Sequence, residues 1–277
     1  MDKAVILDVF DFVSFHVCKH LLNHGVEVHG IWFDECSNQE ILEEKRMEIG
    51  RNANFFEDTF QKWRPTIHEN VKDRQTFIFS LYDLFIIQKD SILKREAIHS
   101  IIQYIAESKN NRLVFLLPIQ MNRFKEDSKI VSFVEEAKEL TGNIQLFYLP
   151  AIYGPWQPSA FLFQQTIIAK ILGSDIQQSE REWIYDALFV KDAVSTIHEI
   201  MESGKPGNYV LESGVENYWN RCADFLKLEQ QFIKNQNCAP EEFTEPCVRI
   251  SIKKLTPIAA SLTEQIKHAE RQCKQHL

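Results

Sequence analysis

A doubly wound parallel α/β sheet with a small C-terminal lobe is the fold the sequence predicts, on two observations. Short apolar, β-branched or aromatic runs of four to eight residues alternate with segments of helical period up to Pro150. That alternation is the pattern of βαβ units, in which each pair of parallel strands needs a crossover helix. The composition is that of a globular chain: 277 residues, 44% hydrophobic and 25% charged, with no low-complexity stretch. It excludes a disordered, collagen-like or disulfide-knot protein.

Strands are expected at Ala4–Leu7, Val26–Phe33, Thr76–Leu81, Leu113–Leu117 and Gln145–Leu149. Each has the length and residue types of a buried strand. Val13, Val17 and Leu21 set the inner face of the first helix, and Gly25 reads as its C-terminal cap. Ile98, Ile101, Ile102 and Ile105 are spaced for one buried helical face. Ile130, Phe133, Val134 and Ala137 are spaced for another, on a helix that stops at Thr141-Gly142. After Pro150 the pattern loosens. Trp156-Gln157-Pro158 reads as an irregular crossing, 212–250 as mixed short elements, and Ser261–Gln272 as a terminal helix. The chain is expected to divide into a core of residues 1–152, completed by 186–212, and a lobe of residues 153–185 and 213–277.

The formal charge is −8 and no block of Lys or Arg occurs, so no nucleic-acid partner is expected. No apolar run approaches the ~20 residues of a membrane helix, and Met1-Asp2-Lys3 opens without a signal-peptide pattern. A cytoplasmic protein without membrane contact is the expectation. The six cysteines, Cys18, Cys36, Cys222, Cys238, Cys247 and Cys273, form no CxxC pair and read as scattered reduced thiols. His16, His20 and His24 fall at i, i+4 and i+8 of the first helix, a spacing a metal site can use. No acidic or Cys partner lies at ligand spacing, so they read as helix-surface residues and no metal is expected. Glycine is scarce, 9 in 277 residues, about half the usual ~7%.

In a doubly wound sheet the ligand lies at the carboxyl ends of the strands, over the first strand–helix turn. Here that turn is Leu7-Asp8-Val9-Phe10-Asp11-Phe12-Val13-Ser14. From Lys3 to Ile31 the chain resembles the extended short-chain dehydrogenase/reductase family, the nucleotide-sugar epimerases and dehydratases. Their turn reads T-G-x-x-G-F-I-G, followed by S-H-L-x-x-x-L-L-x-x-G-x-E-V-x-G. The match runs without a gap through Phe12-Val13, His16, Leu21-Leu22, Gly25, Glu27-Val28 and Gly30. Four later segments follow in the family's order. Leu149-Pro150 with Tyr153-Gly154-Pro155 resembles R-P-x-x-V-Y-G-P, and Asp186 with Phe189-Val190-Lys191-Asp192-Ala193 resembles R-D-F-x-Y-V-D-D-V. Gly207-Asn208-Tyr209-Val210 with Ser213-Gly214 resembles a G-x-x-Y-N-I-G-S-G strand, and Ser261-Leu262-Thr263-Glu264 resembles a terminal S-L-x-E-G-L helix. The resemblance implies a Rossmann-type sheet, an NAD(P) cofactor and a Ser/Thr-Tyr-Lys catalytic set. It also implies a homodimer paired through the helices around 94–107 and 126–140, with Ile101, Ile105, Val131 and Val134 as seam candidates.

Each functional part of that pattern is altered here. The turn glycines are replaced by Asp8, Asp11 and Ser14, and the acidic residue expected at the end of the second strand falls on Trp32, with Asp34 two residues on. Glycines in such a turn let backbone N–H groups approach the pyrophosphate. A carboxylate ~5 Å from a phosphate charge costs about 3 kcal/mol at an effective dielectric of ~20, against about 8 kcal/mol for micromolar binding. The Ser/Thr position falls on Leu117-Pro118, the Tyr-x-x-x-Lys pair on Lys125 and Lys129, and the family arginine before Asp186 on Tyr185. No catalytic set and no bound NAD(P) are therefore expected.

The sequence points to a non-catalytic protein on this scaffold, acting through protein contacts, self-association or an unidentified ligand. Tyr82, Lys125, Lys129, Tyr153, Trp156 and Tyr185 are the candidate lining of a remodelled cleft for an uncharged or cationic small molecule. The alternative is an NAD(P)-dependent epimerase, dehydratase or reductase with an unusual site, in which Asp8 and Asp11, with Asp34 or Glu35, would hold magnesium or calcium.

Overall fold

The computed structural model describes residues 1–33, 39–66, 75–87, 99, 102–103, 105, 111–124, 129–177, 181–229, 243 and 245–275. Strands β1 (Lys3–Leu7), β2 (Glu27–Trp32), β3 (Phe55–Thr59), β4 (Thr76–Ser80), β5 (Arg112–Pro118), β6 (Ile144–Leu149), β9 (Gly207–Glu212) and β10 (Val248–Ser251) form one sheet, ordered β10-β9-β6-β5-β4-β1-β2-β3. Every pairing in it is parallel. The order reverses between β1 and β4, the crevice where ligands enter such sheets. Two three-residue strands, β7 (Ala151–Tyr153) and β8 (Ala187–Phe189), pair separately.

All five expected strands are present to within about one residue at each end. Strand β3 lies at one edge and carries an exposed Phe56, and β10 is an exposed edge at the other side. Neither has the buried alternation that marks a strand in sequence. Because β10 joins the main sheet, the expected boundary is corrected: residues 248–251 belong to the core rather than the lobe.

Helix α1 (Phe12–Asn23) follows β1 directly. Its expected cap forms: Gly25 takes φ +77°, Val26 N–H bonds Leu21 O and Gly25 N–H bonds Leu22 O, both at 3.1 Å. Further helices are α2 (Gln39–Ile49), α3 (Phe60–Thr66), α4 (Tyr82–Ile86), α5 (Lys129–Leu140), α6 (Leu162–Leu172), α7 (Val190–Ser203), α8 (Tyr218–Phe225) and α9 (Ile258–Gln275). Helix α1 is buried on more than one face because α7 and the chain after β7 cover its outer side. Phe15 meets the Trp156 ring edge-on at 6.0 Å.

On α5, Ile130, Phe133, Val134 and Ala137 are all buried, as expected. That burial bears on two of the four seam candidates, while Val131 keeps partial exposure. Val134 and Ile105 are each 1% exposed inside the chain's own core, so neither is free to pair with a second copy. Ile98 and Ile101 lie outside the described residues. In the lobe, Gln265 of α9 donates to the buried side chains of Gln157 (2.7 Å) and Gln164 (2.8 Å), tying α9 to α6 and the Trp156 crossing.

Candidate functional site

The first turn lies at the crevice between β1 and β4. Asp8 holds the left-handed φ of +51° at the first glycine position, a conformation aspartate tolerates at a cost of about 1 kcal/mol. The turn thus keeps its path. Its next residue, Val9, is fully buried against Gly30 of β2, where an added Cβ would lie 2.9 Å from Val9 and 2.8 Å from Phe55. Ser14, at the third glycine position, is buried, and its Oγ has no hydrogen-bond partner among the described residues.

What lines the turn is a set of carboxyls. Asp8 bonds Asp11, and burial followed by the charges of Asp11 and Asp83 raises Asp8 well above the usual carboxylate range. Asp83, on the first turn of α4, is buried and accepts the Val13 N–H at 3.1 Å and the Phe12 N–H. Burial and the neighbouring Asp11 push it up to about 8. Lys45 of α2, also buried, donates to Phe10 O at 2.6 Å and opposes both shifts. The N–H groups that open α1 are therefore engaged from within the chain. Because Asp8 and Asp83 keep their protons to unusually high pH, the expected charge repulsion is smaller than fixed carboxylates would give.

At the end of β2, Trp32 is half-buried beneath the Arg46 guanidinium, 4.7 Å from its ring. Arg46 is held by Glu57 (2.8 and 2.5 Å) and Glu43 (2.6 Å). Asp34, Glu35 and Lys125 lie outside the described residues. Leu117 and Pro118 are buried at the end of β5, and Lys129 opens α5, partly buried.

The cleft expected from Tyr82, Tyr153, Trp156 and Tyr185 is not assembled. Tyr82 is 1% exposed; its hydroxyl donates to Pro150 O (2.9 Å) and accepts the Ile152 N–H (2.8 Å), pinning β7 to α4. Tyr153 is fully buried and its hydroxyl bonds Ser261 Oγ at 2.9 Å. Burial raises both phenols above their usual range. Trp156 is buried, with Nε1 donating to Glu48 at 3.2 Å, and Tyr185 packs on Trp183 with ring centres 4.8 Å apart. Only Tyr185 and Lys129 of the expected lining keep partial exposure among the described residues.

A groove of about 730 Å³ opens instead along the outer side of α1, between α7 and α9. Its cations are Lys19, Lys191, Lys267 and Arg271, and its carboxylates are Glu48 and Glu264. Glu48 pairs with Lys19 (2.5 Å) and Glu264 with Lys191 (2.6 Å). Lys267 and Arg271 have no carboxylate partner among the described residues. Burial holds His268, in the groove wall, down to about 4. The groove's three helices are far apart in the chain, so sequence reasoning named only Trp156 of this lining as a cleft residue and did not bring the helices together.

The histidine row also resolves differently from its spacing. His16 turns inward to Pro155 O, with Nε2 2.8 Å away. His20 and His24 meet His198 of α7, a juxtaposition no local spacing announces. Burial and the two neighbouring imidazoles hold His20 down to about 4.

By sequence alone, no family model and no curated protein matches the chain. By structure it superposes over nearly its whole length on UDP-glucuronic acid 4-epimerase from Bacillus cereus in complex with NAD. That alignment has a TM-score of 0.68 and 13% identity, covering 98% of this chain and 99% of that one. This is the fold of the extended short-chain dehydrogenases. Two other structures are similar in fold. The dTDP-glucose 4,6-dehydratase of Bacillus anthracis in complex with NAD gives a TM-score of 0.66 at 14% identity, covering 99% and 98%. The Bordetella bronchiseptica enzyme WbmH in complex with NAD+ gives 0.66 at 12%, covering 97% and 98%. Among the described residues, no helix is long and apolar enough to cross a membrane.

Proposed function

We propose that this chain is a non-catalytic protein built on the epimerase/dehydratase fold, one that holds no dinucleotide across its first turn. The observation that carries the reading is Asp83, which takes up the Phe12 and Val13 N–H groups at the start of α1. Those are the donors a pyrophosphate needs in such a fold. The bulk of Asp8, Asp11 and Ser14 supports the same conclusion, as does a catalytic Ser/Thr position filled by Leu117 and Pro118.

The protein acts by binding, and the groove on α1 is where it receives a small ligand. With Lys267 and Arg271 in excess there, the ligand carries negative charge, unlike the uncharged or cationic molecule expected from the sequence. Self-association through α5 would use its outer residues Ser132, Glu135, Glu139 and Leu140, since the inner face is spent on the sheet.

One observation favours the alternative, an NAD(P)-dependent epimerase, dehydratase or reductase: structures of the same fold contain NAD. Calorimetric titration with NAD+, NADH, NADP+ and NADPH at low salt, with and without magnesium, separates the two. The non-catalytic reading expects no heat up to millimolar cofactor in either condition. Micromolar binding in either condition overturns it, and a requirement for magnesium would assign Asp8 and Asp11 to a metal-bridged phosphate site.

A further inference from the structure

We propose that His20, His24 and His198 form a binding site for a divalent transition-metal ion of the zinc class. The site joins α1 to α7 and is independent of the reading of the first turn. One ligand nitrogen from each ring lies within 4.8 Å of the other two, the only such group of three among the described residues. His20 Nε2 and His198 Nδ1 are 3.2 Å apart. Two nitrogens bound to one tetrahedral zinc at about 2.0–2.1 Å are separated by about 3.3 Å, so this pair already has the required spacing.

The unused ring nitrogen of His24 is placed as a metal site needs it. His24 stacks on His20 with ring centres 4.2 Å apart, and its Nδ1 donates to His20 O at 2.8 Å, which leaves Nε2 as its ligand atom. His198 turns Nε2 toward Glu202 Oε1 at 3.7 Å, and Glu202 is held in turn by the Met1 ammonium at 2.8 Å. The His20 carbonyl behind His24 is an outer-shell partner of the kind that fixes tautomer and orientation, whereas His198 Nε2 has no hydrogen-bond partner, Glu202 standing beyond that reach. Without an ion, the short His20–His198 contact requires a proton between two ring nitrogens. An ion takes that proton's place.

The donor set chooses the metal. Three imidazoles, with no carboxylate or carbonyl oxygen among the ligands, suit zinc, cobalt, nickel or copper and not magnesium or calcium. Three protein ligands leave one tetrahedral position for water or a ligand atom. His20 also lines the groove, so the ion stands at one end of it, where it would add positive charge beside Lys19.

The test uses tag-free protein stripped with a chelator and titrated with zinc against a chromophoric competitor, then with cobalt read by its visible absorption. One equivalent should bind with micromolar or tighter affinity, cobalt should show a tetrahedral spectrum, and zinc should raise Tm. His24→Gln and His198→Ala should each weaken binding at least about tenfold and abolish the Tm shift. His24 is exposed, so its variant keeps the fold. His29→Gln, on β2 and outside the site, should leave affinity unchanged. Binding only at millimolar zinc, or one equivalent retained at full affinity in both ligand variants, overturns the site.

Discussion

The carboxyl of Asp83 lies 3.1 Å from the N–H of Val13, capping a helix that begins 71 positions earlier in the chain at Phe12 (83 − 12). The N-cap residue of that helix, Asp11, makes no side-chain cap bond. The same device recurs on α6, whose N-cap Phe161 cannot cap: Glu182 accepts the Leu162 N–H at 2.8 Å from a buried position. In both cases the orphan donors of a helix start are satisfied by a remote carboxyl inside the protein. Burial pushes each of these carboxyls up to about 8.

That pairing predicts an unusual pH dependence. A folded-state pKa raised above the unfolded value of about 4 means the folded chain holds a proton the unfolded chain lacks, so stability is lost progressively from about pH 4 until pH has passed 8. Each group contributes a fall of up to ~1.4 kcal/mol per pH unit over that window. Buried His16 and His268 and half-buried His20, held down to about 3, 4 and 4 respectively, act the other way, but only below the unfolded imidazole value near 6.5. Urea denaturation should therefore show stability falling between pH 6.5 and 8. The advantage of Asp83→Asn or Glu182→Gln over the parent should be about 4 kcal/mol larger at pH 8 than at pH 5, three units at about 1.4 kcal/mol each. Equal effects at both pH values would contradict the assignment.

Much of the frame was legible because burial leaves a periodic trace. The runs at β1, β4 and β5 and the stripe Ile130, Phe133, Val134, Ala137 show in sequence since one or both faces are apolar. Edge strands β3 and β10 left no such trace. The site was legible only in part. Replacement of the turn glycines could be read directly, but the role of Asp83 could not, because its partner lies 70 residues away. His198 was invisible for the same reason: spacing along α1 suggested His16 as the third imidazole, and packing substituted a residue from α7. Tyr82 and Tyr153 were assigned to a cleft by residue type, whereas their hydroxyls are consumed by the backbone at Pro150 and Ile152 and by Ser261.

Tyr82 accordingly carries a structural prediction. Tyr82→Phe keeps the ring stacked on Phe161, 6.0 Å away, and removes one acceptor and one donor from buried backbone groups. The loss should be about 1–3 kcal/mol, since the Ile152 N–H and Pro150 O are left unpaired. It is read as a lower denaturant midpoint at constant slope. A variant as stable as the parent would mean that this hydroxyl is solvated and borders a cleft after all.

Restoring the turn tests what excludes a dinucleotide. If side-chain bulk in the turn were the whole barrier, Asp8→Gly, Asp11→Gly and Ser14→Gly together would recover NADH binding. The geometry predicts otherwise, because Asp83 still holds the Phe12 and Val13 N–H groups. The triple variant should stay silent in calorimetry. Adding Asp83→Ser, which withdraws the carboxyl, should give binding at least about tenfold tighter than the triple, or about 1.4 kcal/mol. Asp8→Gly by itself provides the folding control: relieving a left-handed φ of +51° should leave Tm unchanged or raise it. Triple and quadruple variants that bind NADH equally well would shift the barrier from Asp83 to the lost glycines.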